Sequence, residues 1–478
     1  MKKAYLLFVF FLSWSFNLFA GKNQTPPNII LIFCDDLGYA DLSCYGSLWN
    51  QTPEIDKMAV EGVRFTDFYA GAPVCTPSRA GLMTGCYARR VDLDLDENDA
   101  WVLFPGAKKG INPEETILPE VLKKAGYSTA IIGKWHLGDQ PEFLPVKHGF
   151  DYWFGLPYSN DMGIKKNEAR LLPIIQNESI IDEIDQGSES EMSMLTKRYT
   201  DEAIKWMEEN KQKPFFLYLA HTMPHNPVAA REQFYQKTNN PKPPYGASVS
   251  EISWSTGEIL DYLKKEGLAK NTLVIFTSDN GGASNFGANN GILKGNKGQT
   301  SEGGVRVPCI AWWPGKIKAG TICNAPASVL DFYSTFTSLT KLKINDKVKR
   351  DGMDISDYLF NPGKKREARP YFYWHVGYLQ AVRYGDWKLN LLGQFSEKEQ
   401  QNIQKSAYKM TKFASQLELY NLNTDPGETN NIANEHPDVV DMILKLAEKE
   451  KTALGEYTNK GPEVRKTILI DSPETLIK

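Results

Sequence analysis

Four short apolar runs, each ending abruptly in polar residues, constrain this fold more than any other feature. Residues 29–34 run into Asp35-Asp36, 127–132 into Gly133-Lys134-Trp135-His136, 215–220 into His221, and 273–277 into Ser278-Asp279-Asn280. Their hydrophobicity is continuous rather than alternating, so they read as strands covered on both faces. Helical patterns lie between them, over 116–125, 200–210 and 250–266. This alternation specifies an α/β fold, a large mixed, mostly parallel sheet flanked by helices. In such sheets ligands bind beyond the carboxyl ends of the strands. The polar residues that close the four runs therefore converge on one rim.

At 478 residues, 41% of them hydrophobic, the chain has ample material for a large core. A charged, loop-like stretch at 363–369 divides an expected catalytic domain (25–365) from a smaller C-terminal α+β subdomain (366–478). In the latter, 371–375 and 381–389 read as strands and 437–454 as a helix. A net charge of −3 provides no basic field, so nucleic acid is not an expected partner. Residues 1–20 combine Lys2 and Lys3 with an apolar run closed by Ala20. They read as a signal peptide cut after Ala20, too short for an integral membrane anchor, so the mature protein is expected to be periplasmic or secreted. Export permits disulfides. Cys309 and Cys323 are a candidate pair that the sequence leaves open, and the lack of a CxxC pair disfavours a zinc or redox site.

Residues 75–85 read Cys-Thr-Pro-Ser-Arg-Ala-Gly-Leu-Met-Thr-Gly. Pro77 suits the first turn of a helix, Ala80, Leu82 and Met83 continue it, and Gly85 can end it. Cys75 then lies at the helix N-terminus, where backbone N–H groups favour an anion, with Arg79 adding a cation one turn on. Asp35, Asp36, Asp279 and Asn280 offer only oxygen donors. Hard oxygens select Ca2+ or Mg2+ over zinc, and Ca2+ tolerates irregular geometry better. A lone Asp-Asp is ordinarily a solvated loop. Two acidic pairs, each closing a buried strand, call for a cation to offset their repulsion.

The 75–85 stretch resembles the sulfatase signature Cys-x-Pro-Ser-Arg followed by Leu-x-Thr-Gly, that of the formylglycine-dependent branch of the alkaline-phosphatase-like superfamily. The resemblance spans about residues 28–310. It implies that a sulfatase-maturating enzyme oxidises Cys75 to formylglycine, whose hydrated aldehyde attacks sulfur beside a metal held by Asp35, Asp36, Asp279 and Asn280, with residue 75 also at the metal. Gly133–Gly138 resembles the family's next block, which implies that Lys134 binds sulfate and His136 deprotonates the second hydroxyl of the hydrate. The segment Pro157-Tyr-Ser-Asn-Asp161 resembles one that contributes a serine, here Ser159. The Pro-His-x-Pro-like element falls on His225, with His221 as a buttress; the reverse order stays open. Gly295–Arg306 resembles the last block, so Lys297 is expected to assist the leaving group with His225, Lys294 being the poorer alternative. Cys86 departs from the family, many members of which carry arginine there.

The implied reaction is hydrolysis of a sulfate monoester, on a sulfated saccharide or an aryl sulfate. A phosphate mono- or diesterase of the same superfamily is the alternative, and an inactive sulfoglycan-binding protein a remoter one. Specificity is expected in loops 91–110 and 163–172 and around Trp374-His375. The acidic run Asp92, Asp94, Asp96, Glu97 and Asp99 reads as a solvated face, with hydrogen bonding to sugar hydroxyls as the alternative.

Overall fold

All four apolar runs are strands in the computed structural model, which describes residues 26–342, 348–406 and 413–477. The expected signal peptide lies outside the described residues. The strands are β1 (Asn28–Cys34), β2 (Ser128–Gly133), β3 (Phe215–Ala220) and β4 (Thr272–Ser278). They lie parallel in the order β4-β1-β3-β2, at the centre of an eleven-stranded sheet. Antiparallel strands extend both edges, with Cys309–Trp312 beside β4 and Ala169–Gln176 on the far side.

Register positions the rim. Cys34 pairs with Ser278, and Phe33 with Ala220, so Asp35, Asp279 and His221 leave the sheet at one level. Alternate residues of β1 feed two cores, with Ile29, Leu31 and Phe33 on one face and Ile30 and Ile32 on the other. The Leu118–Lys124 and Asp331–Thr340 helices cover the first face, and Leu195–Asn210 and Pro243–Lys265 the second.

The last helix begins seven residues before the expected 250. Pro243 pre-sets its first turn, and small residues follow because the packing is tight. A Cβ on Gly246 would lie 2.0 Å from Thr238 Oγ1, so this turn lacks the apolar periodicity by which helices are recognised. Leu195–Asn210 likewise starts earlier than expected, whereas the 116–125 pattern contracts to Leu118–Lys124.

A second, antiparallel sheet runs Pro370–His375, Tyr378–Tyr384, Trp387–Asn390 and Glu418–Asn421, with the Pro437–Leu454 helix packed on it. The 381–389 stretch is two strands, because Gly385 (φ 61°) and Asp386 form a two-residue hairpin turn. Trp374 and His375 are buried in this sheet.

Two other expectations are settled here. Cys309 and Cys323 are free thiols. Each pairs with Phe65 from an opposite side of the intervening strand, which puts them about two strand spacings, ~9.6 Å, apart and beyond disulfide reach. The acidic run is not a solvated face. Asp92, Asp94 and Asp96 are buried; Asp92 pairs with Lys109 at 2.9 Å and with Lys460, and Asp94 with Arg89 at 3.2 Å. Among the described residues, no helix is long and apolar enough to cross a membrane.

Candidate active site

The helix Cys75–Thr84 follows an extended Val74 and ends at Gly85, which takes a left-handed conformation (φ 67°). Pro77 occupies one of the first-turn positions that have no intrahelical acceptor. All ten helix residues are buried, which fixes Cys75 and Arg79 against the ends of β1 and β4.

Four oxygen-bearing side chains meet there because β1 and β4 are neighbours in register. Asp36 donates its N–H to Asp279 Oδ1 (3.2 Å), and Asn280 Nδ2 donates to Asp36 Oδ1 (2.7 Å). Cys75 Sγ lies 3.3 Å from Asp35 Oδ1. Arg79 donates twice to Asp279 Oδ2, at 3.1 and 2.8 Å. The Lys134 ammonium sits 2.5 Å from Asp35 Oδ2 and 3.1 Å from Ser159 Oγ. Lys297 Nζ is 2.9 Å from Asp36 Oδ2, and His225 Nε2 is 3.6 Å from the same atom. Ligand atoms of Asp35, Asp36, Cys75 and His225 lie within 4.8 Å of one another.

The backbone is strained to achieve this. Asp36 (φ 67°) and His136 (φ 61°) are left-handed without being glycine, a conformation that costs about 1–3 kcal/mol each and clusters at functional sites. Gly133 (φ 115°) turns the chain into Lys134, where a Cβ would meet the Ala220 carbonyl oxygen at 1.8 Å.

The donor set fits a divalent cation. Asn280 Oδ1 is buried without a hydrogen-bond partner. Burial, and then the charge of Asp35, pushes the Asp279 carboxyl up against the opposing pull of Arg79. Three dry carboxylates and an orphaned amide oxygen are hard ligands whose strain such a cation relieves.

The histidines divide clearly. His136 Nε2 lies 2.9 Å from the Leu103 carbonyl, which can only accept, so Nε2 carries the proton. Burial, then Lys134 and Arg79, hold the ring well below the ordinary histidine range. Nδ1 therefore keeps its lone pair, and it is buried without a partner. His225 Nδ1 donates to the Asn226 carbonyl (2.5 Å), so Nε2 is left toward Asp36, with Ser159 Oγ 3.5 Å from either ring nitrogen. Burial, then Lys297, lower its pKa. His221 is pushed down to about 3 by burial and sits behind β3, with Nε2 3.3 Å from Ser255 Oγ.

Cys75, Asp36, His136, Ser159, His225 and Lys297 line one cavity of about 280 Å3. Arg79 and Lys134 are not among its lining residues; both are bonded to the carboxylates behind it. Lys294 is turned toward the Glu428 carbonyl (3.3 Å) and the Tyr420 ring. Cys86 is a core residue, its thiol 3.6 Å from the Lys349 carbonyl. The cavity mouth is formed by Trp101, Phe104, Met162 and Phe286, with Phe104 38% and Phe286 41% exposed. Trp101 and Phe104 come from the 91–110 loop, whereas 163–172 and Trp374-His375 do not line the cavity. Met162 stands singly in a loop and Phe286 ends the short Ser284–Phe286 3-10 helix; neither carries a sequence signal.

Comparison with known proteins gives the chain a family. Residues 27–342 match the family Sulfatase, and 366–469 match the C-terminal region of aryl-sulfatase. The N-acetylgalactosamine-6-sulfatase of Mus musculus is 36% identical over 91% of this chain and 88% of its own. Arylsulfatase A of Homo sapiens is 35% identical over 91% and 90%. The solved structure of Ps i-CgsB in complex with k-i-k-neocarrahexaose superposes with a TM-score of 0.76 at 29% identity, covering 89% of this chain and 93% of that one. The chain belongs to the sulfatase family, and it is a sulfuric ester hydrolase.

Proposed function

We propose that this sulfatase is exported and removes sulfate from a sulfated saccharide, with formylglycine at position 75 and a divalent cation, Ca2+ in preference to Mg2+, beside it. The observation that carries the reading is the shared cavity floor. Cys75, Asp36 and His136, whose Nδ1 is unpartnered, line it below an aromatic mouth, and Asn280 with its orphaned Oδ1 is bonded to Asp36. The leader at 1–20 supports export, and the motif around Cys75 supports recognition by a maturating enzyme.

Formylglycine would supply a hydrated-aldehyde hydroxyl as nucleophile, and the cation would supply positive charge against the sulfate oxygens. Asp35, Asp36, Asp279 and Asn280 would hold that cation. Arg79, bonded to Asp279 and 3.7 Å from Asp35, aims these carboxylates and opposes their protonation. Lys134 and Ser159 bring a cation and a hydroxyl to the sulfate end. Burial works against the charge on Lys297, but Asp36 above all holds it protonated. It can therefore stabilise a developing alkoxide. His136 accepts a proton at Nδ1 from the hydroxyl of residue 75. His225 donates from Nε2 to the departing oxygen once its ring is protonated, a state that Asp36 and the incoming sulfate anion favour.

The aromatic mouth favours a ring with an apolar face, as pyranoses have, and the volume suits a small ligand. The named relatives point the same way, one being an N-acetylgalactosamine-6-sulfatase and another holding neocarrahexaose. The test is a panel of sugars each sulfated at one position, run against the matching phosphates. Sulfate release from one sugar far above its phosphate counterpart is expected. Faster turnover of the phosphate overturns the assignment.

A further inference from the structure

We infer that Lys388 and Glu428, in the C-terminal part of the chain, are positioning residues for Lys297 and so set how well the enzyme assists a poor leaving group. This rests on the reading of Lys297 given above.

The loop that carries Lys297 is wound tightly. Gly303 donates its N–H to the Lys294 carbonyl (2.7 Å), Lys297 to Gly282 (3.2 Å), and Gly298 to Pro73 (2.9 Å). A Cβ on Gly303 would lie 2.5 Å from the Gly295 carbonyl oxygen, so the loop needs glycine there. Its downstream end is gripped by the second sheet. Lys388, on the Trp387–Asn390 strand and 1% exposed, donates to the Thr300 carbonyl (2.8 Å) and pairs with Glu302 (3.1 Å) and Glu428 (2.9 Å). An ammonium has three N–H donors, and these three partners use them all.

Glu428 completes the grip. Its Oε2 accepts the Glu302 N–H at 2.7 Å, and its own backbone is left-handed (φ 52°). Such strain persists only where surrounding contacts over-determine it. Glu302, 0% exposed, also accepts from Tyr69 (2.6 Å) and Tyr373 (2.8 Å), and Thr300 Oγ1 donates to Gln380 Oε1 (3.0 Å). The chain is thus pinned to the second sheet from Thr300 to Glu302, starting three residues beyond Lys297. Without Lys388 the Thr300 carbonyl loses its donor and two buried glutamates lose a cation. Lys297 then loses its aim, and a displacement of about 1 Å at a reacting group costs about 10²-fold.

The experiment compares a sugar sulfate with nitrophenyl sulfate in the mature enzyme, using Lys388→Met, Thr300→Val, Lys297→Ala and the Lys297→Ala/Lys388→Met double variant. Lys388→Met should lower kcat/KM for the sugar sulfate about 10- to 100-fold and for the activated ester less than about threefold. It should add nothing in the Lys297→Ala background, because both changes remove one effect. Thr300→Val should show the same selectivity at smaller size, and it decides the matter if Lys388→Met fails to fold. Equal losses on both esters, or losses that add to those of Lys297→Ala, overturn the inference. If Lys297→Ala is itself unselective, the reading of Lys297 fails and takes this inference with it; if only Lys388→Met and Thr300→Val are unselective, the inference falls alone.

Discussion

Two buried charge clusters lie on either side of the Lys297 loop, and each holds three carboxylates and three cations. At the strand ends Asp35, Asp36 and Asp279 face Arg79, Lys134 and Lys297. Against the second sheet Asp67, Glu302 and Glu428 face Arg306, Arg383 and Lys388. The tallies match, but the bonding does not. Around Glu302 the cations, Lys388 first among them, overcome burial and hold its carboxyl well below the usual range. In each cluster, however, another carboxyl rises: burial lifts Glu428 beside Glu302 and Asp279 at the strand ends, where, against burial, Lys134 holds Asp35 low. The clusters differ instead in their open acceptors. Asn280 Oδ1 and His136 Nδ1 find no donor. A buried charge cluster is therefore not in itself a candidate active site; open acceptors beside a ligand-sized cavity distinguish the one that is.

The sharpest break of this comparison is Cys75→Ala. It should lower turnover by more than about 10⁴-fold, as loss of a covalent nucleophile does, while the melting temperature barely moves. Next come paired changes in the two clusters. Glu302→Ala leaves Lys388 and Arg306 under-compensated and should cost about 3–5 kcal/mol of stability in denaturant titration. Asp279→Asn relieves repulsion at the strand ends, so in chelator-treated protein it should cost less than about 1 kcal/mol while abolishing turnover. Equal destabilisation by both would erase the contrast. Chelation alone should slow the wild type by about 10²–10³-fold, with recovery on adding Ca2+. Metal-free enzyme with full turnover would remove the cation from the account.

The last effect is on stability alone and belongs to a buried residue outside both clusters. Burial pushes His148 down to about 4, and its Nε2 hydrogen-bonds the Glu142 carbonyl. Its folded pKa lies below the unfolded value near 6.5, so the unfolded chain binds more protons between the two. Stability should fall as pH drops from about 6.5 to 4, by up to about 1.4 kcal/mol per pH unit, and His148→Gln should flatten that slope.

The same contrast explains what could be read from the sequence. β1 to β4 were legible because burial on both faces leaves unbroken apolar runs. Asp35, Asp36, Asp279 and Asn280 were legible because they close those runs, and Cys75 and Arg79 because they fall in one dense motif. The Glu302 cluster was not. Lys388 reads as an ordinary strand lysine, and its partner Glu302 is 86 positions away. The acidic run at 92–99 was misread for the same reason, since Lys460 reaches Asp92 from 368 positions downstream. A charge carries no local mark of burial when its counter-ion comes from tertiary contact. Phe286 and Met162 at the cavity mouth lie in no periodic pattern at all.

The central claim is that residue 75 is the nucleophile in a modified form. Peptide mass spectrometry of a preparation with measured sulfatase turnover tests it most directly. The peptide spanning residue 75 should carry an aldehyde or its hydrate in place of the thiol, in a fraction that tracks specific activity across preparations. A fully active sample containing only unmodified cysteine would contradict the account.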